Sequence, residues 1–65
     1  MPVIQIKLWK GRTQAQKKEL IRSITESTVE SIACPPEAVH VLIEEYKKND
    51  WGIAGKPATE LPLGK

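Results

Sequence analysis

The sequence holds one cysteine, one histidine and no phenylalanine, and no apolar run in it approaches the length of a membrane span. A lone cysteine excludes an internal disulfide and any cysteine cluster for zinc, and a single histidine leaves little from which to build another structural metal site. Cys34 stands just before Pro35 with no base near it in sequence, so its expected role is packing. An excess of one charge is also missing. Ten basic and eight acidic residues leave a formal net charge of +2, and the densest basic runs, Lys17-Lys18 and Lys47-Lys48, are followed closely by Glu19 and Asp50. A phosphate-binding surface requires a basic stripe, so nucleic acid is not an expected partner, and neither is a membrane. No signal peptide precedes the first alternating segment. The expected compartment is the cytoplasm, where Cys34 stays a reduced thiol.

What is present has to do without those staples. The 65 residues make one domain, 1–65, and a chain of this length buries only about 60% of the surface that it exposes when unfolded. With disulfide and metal set aside, oligomerisation is the remaining way to complete a core. The hydrophobic content of 40% fits a protomer that buries a second face against copies of itself.

Val3 to Trp9 alternates, with Ile4, Ile6 and Leu8 on one face and Val3, Gln5, Lys7 and Trp9 on the other, which predicts a strand. The second face mixes polar groups with Trp9, so that face is placed to meet a neighbouring subunit. Gly11 breaks the pattern. Thr13 followed by Gln16 has the form of a capping box, so a helix is expected to begin there. Leu20, Ile21, Ile24, Thr28 and Ile32 form its apolar stripe, with Lys17, Lys18, Arg22, Glu26 and Glu30 left to water. Arg22 and Glu26 form an opposite-charge pair one turn apart. Pro35-Pro36 is expected to end the helix. Val39 to Tyr46 predicts a second strand, with Val39, Val41 and Ile43 opposed to His40, Leu42 and Tyr46. Strand, helix of roughly 20 residues and strand imply a right-handed crossover with parallel strands. The segment 51–57 predicts a short hairpin or lid. The tail from Ala58 to Lys65 is expected to be loose unless a neighbouring subunit holds it.

Met1-Pro2 is an ordinary dipeptide by itself. Removal of Met1 would give Pro2 a free secondary amine, and an α-amino group, which titrates at about 8, moves lower when buried or placed near cations. Taken one at a time, Arg12 reads as a solvated loop cation and Trp51 as a core or interface residue. His40 reads as a strand residue at a subunit boundary.

Met1-Pro2 leading into the strand, Gly11-Arg12-Thr13, Gln16-Lys17, Leu20-Ile21-Arg22, Val39 to Glu45 and Trp51 to Gly55 together resemble the 4-oxalocrotonate tautomerase family over nearly the whole chain. The resemblance implies an α+β fold. Its β-α-β protomer carries a C-terminal hairpin, dimerisation completes a four-stranded sheet, and three dimers make a homohexamer. It also implies a cofactor-independent keto-enol tautomerase acting on a small unsaturated 2-hydroxy or 2-keto acid. In that family the trimmed terminal proline is the general base, arginines grip the carboxylate and polarise the carbonyl, and an aromatic residue walls the pocket. By position the base is Pro2, a substrate-binding cation is Arg12 and the wall is Trp51. His40 departs from the family pattern, which has an arginine there, so enolate stabilisation would depend more on pH. Lys56 and Lys65 are candidates for a compensating cation. Arg12 lies about seven strand residues, over 20 Å, from Pro2, so one chain cannot close both around a small acid. Two alternatives remain at this point: a hydratase or dehalogenase of unsaturated acids with Glu44 or Glu45 activating water, and a non-catalytic oligomeric binding or scaffold protein.

Overall fold

The computed structural model describes residues 2–62. In chain order it contains strand β1 (Val3–Trp9), helix α1 (Gln14–Ile32), strand β2 (His40–Tyr46) and two short strands, β3 (Gly52–Ile53) and β4 (Lys56–Pro57). Short 3-10 turns at Pro36–Ala38, Lys48–Asp50 and Ala58–Glu60 connect and close these elements.

β1 and β2 pair in parallel from Val3 opposite His40 to Trp9 opposite Tyr46. The even-numbered β1 residues Ile4, Ile6 and Leu8 are half-buried and Val3, Gln5 and Lys7 are exposed, as alternation requires. Across the pair, Ile4, Ile6 and Leu8 stand level with Val41, Ile43 and Glu45. That face looks toward α1, because the Lys17 ammonium reaches Glu45 at 3.1 Å. The opposite face carries Val3, Gln5 and Lys7 level with His40, Leu42 and Glu44, and there Lys7 meets Glu44 at 4.0 Å. β2 starts one residue later than the alternation suggested. Val39 instead donates its N–H to the Pro36 carbonyl at 3.1 Å and closes the 3-10 turn.

The start of α1 follows the sequence reading. The Gln16 N–H donates to Thr13 Oγ1 at 3.1 Å, and the Thr13 N–H donates to Gln16 Oε1 at 2.9 Å. Each bond satisfies a donor that the first turn would leave open. Its end comes earlier than Pro35-Pro36. Pro35 disfavours helical angles at Cys34, and the chain leaves the helix at Ala33, in the left-handed region with φ 54°, where its N–H bonds the Val29 carbonyl at 3.0 Å.

The helix face keeps Leu20, Ile24 and Thr28 of the expected stripe half-buried and departs from it at three other positions. Ile21 and Ile32 are 37% and 57% exposed, whereas Lys17 is half-buried beside Leu20, Ile24 and Thr28. The ion pair to Glu45 draws Lys17 onto the sheet side, and Thr28 returns its hydroxyl to the Ile24 carbonyl at 2.8 Å. Arg22 bonds both Glu19 and Glu26, and the hydrogen bonds that Glu19 accepts from Arg22 and Ser23 hold its carboxyl below the ordinary range. The three charged side chains face water, so the contribution to stability is small.

The described part of the tail is not loose. Ala58 is 2% exposed and is the one fully buried residue among those described. Its N–H bonds the Trp51 carbonyl at 2.8 Å, and the Thr59 hydroxyl bonds Asn49 Oδ1 at 2.9 Å. Contacts within the chain therefore hold 58–60 before any neighbour is invoked. Residues 63–65 lie outside the described residues. The 51–57 segment forms the expected hairpin, β3 against β4, turning through Ala54 and Gly55 at φ 53° and 82°. Positive φ at both positions matches the twist of the paired strands.

Thr13→Ala is expected to cost about 1 kcal/mol through loss of the cap. Ala33→Gly is expected to stabilise by about 0.5–1 kcal/mol, because glycine adopts positive φ without the Cβ penalty. Urea unfolding at one fixed protein concentration checks both, since association adds stability by mass action. Unchanged midpoints would show that neither helix end limits stability.

Candidate active site

Parallel pairing makes both strands begin at one end of the sheet and finish at the other, and the four residues singled out from sequence divide between those ends. At the beginning, the His40 N–H donates to the Pro2 carbonyl at 3.0 Å. Pro2 is half-buried there and His40, the first residue of β2, is exposed. Sequence separation of 38 positions thus becomes direct contact. Met1 lies outside the described residues.

Arg12 stands at the far end. Gly11, at φ 127°, takes the chain out of β1 through a conformation that side chains resist, and Arg12 follows it half-buried. Two clefts meet at Arg12. One, of about 230 Å³, is lined also by Leu8, Gln16, Lys17 and Leu20. The other, of about 210 Å³, is lined also by Trp9, Lys10, Gly11 and Lys48. The first is apolar with amide and ammonium groups at its rim. The second sets three cations around an indole.

Trp51 belongs to the same end. Its ring meets Trp9 edge-on, with centroids 5.9 Å apart and planes at 79°, and meets Tyr46 similarly at 5.9 Å and 71°. Such edge contacts bring the positive rim of one ring to the negative face of another. Trp9 is thus half-buried against its own chain. The register causes this: Trp9 and Tyr46 are level at the last position of the ladder, and Trp51 returns to pack on both. Trp9 Nε1 is shielded from solvent and has no hydrogen-bond partner among the described residues. A third cleft, of about 220 Å³, is bounded by Lys7, Tyr46, Asp50, Trp51 and Gly52.

The remaining candidates are accounted for individually. Glu44 accepts from the Tyr46 hydroxyl at 3.1 Å and pairs with Lys7, and Glu45 pairs with Lys17, so both acids are engaged within the chain. Lys56 is exposed in β4, and Lys65 lies outside the described residues. Cys34 is a half-buried free thiol. No group of three or more histidine, cysteine, aspartate or glutamate side chains gathers as a metal site among the described residues. None of the described helices is long and apolar enough to cross a membrane.

Residues 2–60 match the family model described as Tautomerase enzyme. The chain belongs to the tautomerase family. The 2-hydroxymuconate tautomerase of Pseudomonas sp. strain CF600 is 44% identical over 61 residues, which cover 94% of this chain and 97% of that one. Among solved structures, an apo unfused 4-oxalocrotonate tautomerase superposes with a TM-score of 0.89 at 38% identity, covering 94% of this chain and all of that one. A heterohexameric 4-oxalocrotonate tautomerase from Chloroflexus aurantiacus J-10-fl gives a TM-score of 0.88 at 28% identity, covering 94% of this chain and 98% of that one. Membership carries the enzyme class, a keto-enol tautomerase of the 4-oxalocrotonate tautomerase type.

Within this tautomerase the structure adds groups that sequence reasoning passed over. Trp9 and Lys48 share a cleft with Arg12, and Tyr46 braces Trp51. The signal for Trp9 was its place on the mixed face of β1. Lys48 gave no signal, since it stood in an ordinary charged run. Trp51→Ala is expected to cost about 3 kcal/mol by opening the aromatic cluster. Trp9→Phe should stay within about 1 kcal/mol of the parent, because it keeps an aromatic contact and removes an unpartnered donor. Chemical denaturation of the two variants checks this; a Trp9→Phe loss as large as that of Trp51→Ala would show that the indole N–H has a partner after all.

Proposed function

We propose that this tautomerase moves a proton between the enol or dienol and keto forms of a small unsaturated 2-hydroxy or 2-keto acid, with the Pro2 amine as general base once Met1 has been removed. The observation that carries this reading is the division of the sheet into two ends, with Pro2 and His40 joined at 3.0 Å at one and Arg12 and Trp51 at the other. A secondary amine whose pKa lies near working pH can take the enol proton and return it to carbon. His40, beside Pro2, supplies a donor for the oxygen where negative charge develops. Arg12 offers a planar fork for the carboxylate, and Trp51 keeps water from the diene. No cofactor enters these steps.

β1 has seven residues, so its two ends are separated by roughly 20 Å. A small acid therefore meets Pro2 of one protomer and Arg12 of another. Assembly is proposed as a homohexamer, and the uncovered side of the sheet supports association, since Val3 and Leu42 are 48% and 49% exposed there. The location is proposed as the cytoplasm, with the thiol of Cys34 reduced. Hydration or dehalogenation is less favoured, because Glu44 and Glu45 already hold cations of their own chain.

Intact mass should show Pro2 as the first residue, and Pro2→Ala should lower kcat/KM for ketonisation of 2-hydroxymuconate or of the enol of phenylpyruvate by about a hundredfold or more. Arg12→Ala should raise KM, and a mixture of the two inactive variants, dissociated and reassembled together, should recover part of the activity. Retention of Met1 in the native host, or full turnover by Pro2→Ala, would remove the amine from the mechanism. Absence of recovery in verified mixed oligomers would remove the shared pocket.

A further inference from the structure

The cleft at the end of β1 contains more positive charge than binding one carboxylate requires. Arg12, Lys10 and Lys48 line it together with Trp9 and Gly11. Lys48 is the fixed member of the lysine pair. Its ammonium lies 4.8 Å from the centroid of the Trp9 ring, near enough for attraction to the ring face. Its backbone is held as well, because the Trp51 N–H donates to the Lys48 carbonyl at 3.2 Å and closes the Lys48–Asp50 turn. Trp9 in turn rests against Trp51, and Trp51 against Tyr46. A lysine ordinarily gives up considerable side-chain freedom to bind an anion. Here stacking on the indole has already restricted it.

Two other lysines, one in β1 and one in α1, are committed differently. Lys7 and Lys17 pair with Glu44 and Glu45, whereas neither Lys10 nor Lys48 forms an ion pair among the described residues. Lys48 is half-buried and Lys10 is exposed. The less solvated, better-held charge is therefore Lys48, and it adds to Arg12 in one cleft.

We propose that Lys48 is a specificity-determining residue, which selects acids bearing a second carboxylate at the end remote from the reacting enol over acids that bear only one. The proposal rests on the reading that the Arg12 cleft receives a substrate carboxylate, in a diacid the one remote from the reacting enol. Arg12 binds that carboxylate through its fork, and Lys48, unable to match it bidentately, supplies a point charge that lowers the cost of bringing a dianion into a cleft walled by an indole. A monoacid whose remote end is a methyl or phenyl group meets Trp9 instead and gains nothing from the ammonium.

Two diene acids of equal chain length, trans,trans-muconate and sorbate, differ by one terminal carboxylate and serve as probes for calorimetric titration of the full-length oligomer. The wild type should prefer muconate. Lys48→Gln should weaken muconate binding by about tenfold, the scale of one charge-assisted contact, and leave sorbate within about twofold. Lys48→Arg should retain the preference. Added salt should shrink the preference in the wild type and not in Lys48→Gln. Equal losses for both acids, no loss for muconate, no preference in the wild type, or a Lys48→Arg variant that behaves like Lys48→Gln would each overturn the assignment. Arg12→Ala separates it from the reading beneath it: unchanged affinities for both acids in that variant would show that the cleft does not receive the carboxylate, whatever Lys48→Gln does.

Discussion

Everything in this protomer depends on the parallel ladder between β1 and β2. Antiparallel strands can be joined by a turn, but parallel ones require the chain to travel back along the sheet, and α1 makes that journey. Because the strands run the same way, the residue before β1 and the first residue of β2 must meet. That is why the Pro2 carbonyl receives the His40 N–H. The same condition makes both strands finish together, so Trp9 and Tyr46 become level and Trp51 has two rings to rest on. The residues singled out from sequence are consequently sorted to opposite ends by the topology, and no described element brings the ends together.

The ladder also leaves a debt in burial. One face of the sheet is covered by α1, with the Lys17–Glu45 pair at the margin, and no described element covers the other. Ala58 alone is fully buried among the described residues, while Val3 and Leu42 stand about half exposed on the open face. A chain of 65 residues with so small an interior gains most from association, since apolar area removed from water stabilises by roughly 25 cal/mol per Å². In the proposed reading, association and a site completed by a second protomer are two consequences of one geometry: a neighbour covers the open face and brings its Arg12 to Pro2.

Local structure was largely legible in the sequence because it is carried by local rules. Alternation located β1 to the residue, the Thr13–Gln16 pattern located the start of α1, and the glycine-punctuated segment became the β3–β4 hairpin. Where expectation and structure part, a long-range contact intervened. The helix face departs from its expected stripe at Lys17, an apparent surface cation that is drawn to Glu45 from 28 residues away. The tail was expected to be loose because its spacing carries no period, yet Ala58 is held by the Trp51 carbonyl. The contact of Trp9 with Trp51 carries no local signal, because α1 and β2 lie between the two rings in the chain.

By itself the sequence determined the order of elements, the capping of α1 and the resemblance that led to the tautomerase family, and it raised the expectation that a partner completes the core. These follow from periodicity, cap chemistry and chain length, which are properties of neighbouring residues or of the whole composition. Only the tertiary structure decided that Pro2 adjoins His40, that Arg12 shares a cleft with Trp9 and Lys48, and that Glu44 and Glu45 are occupied. Those facts depend on strand register and on how the chain returns after β2, and register is a relation between distant residues that no local pattern contains.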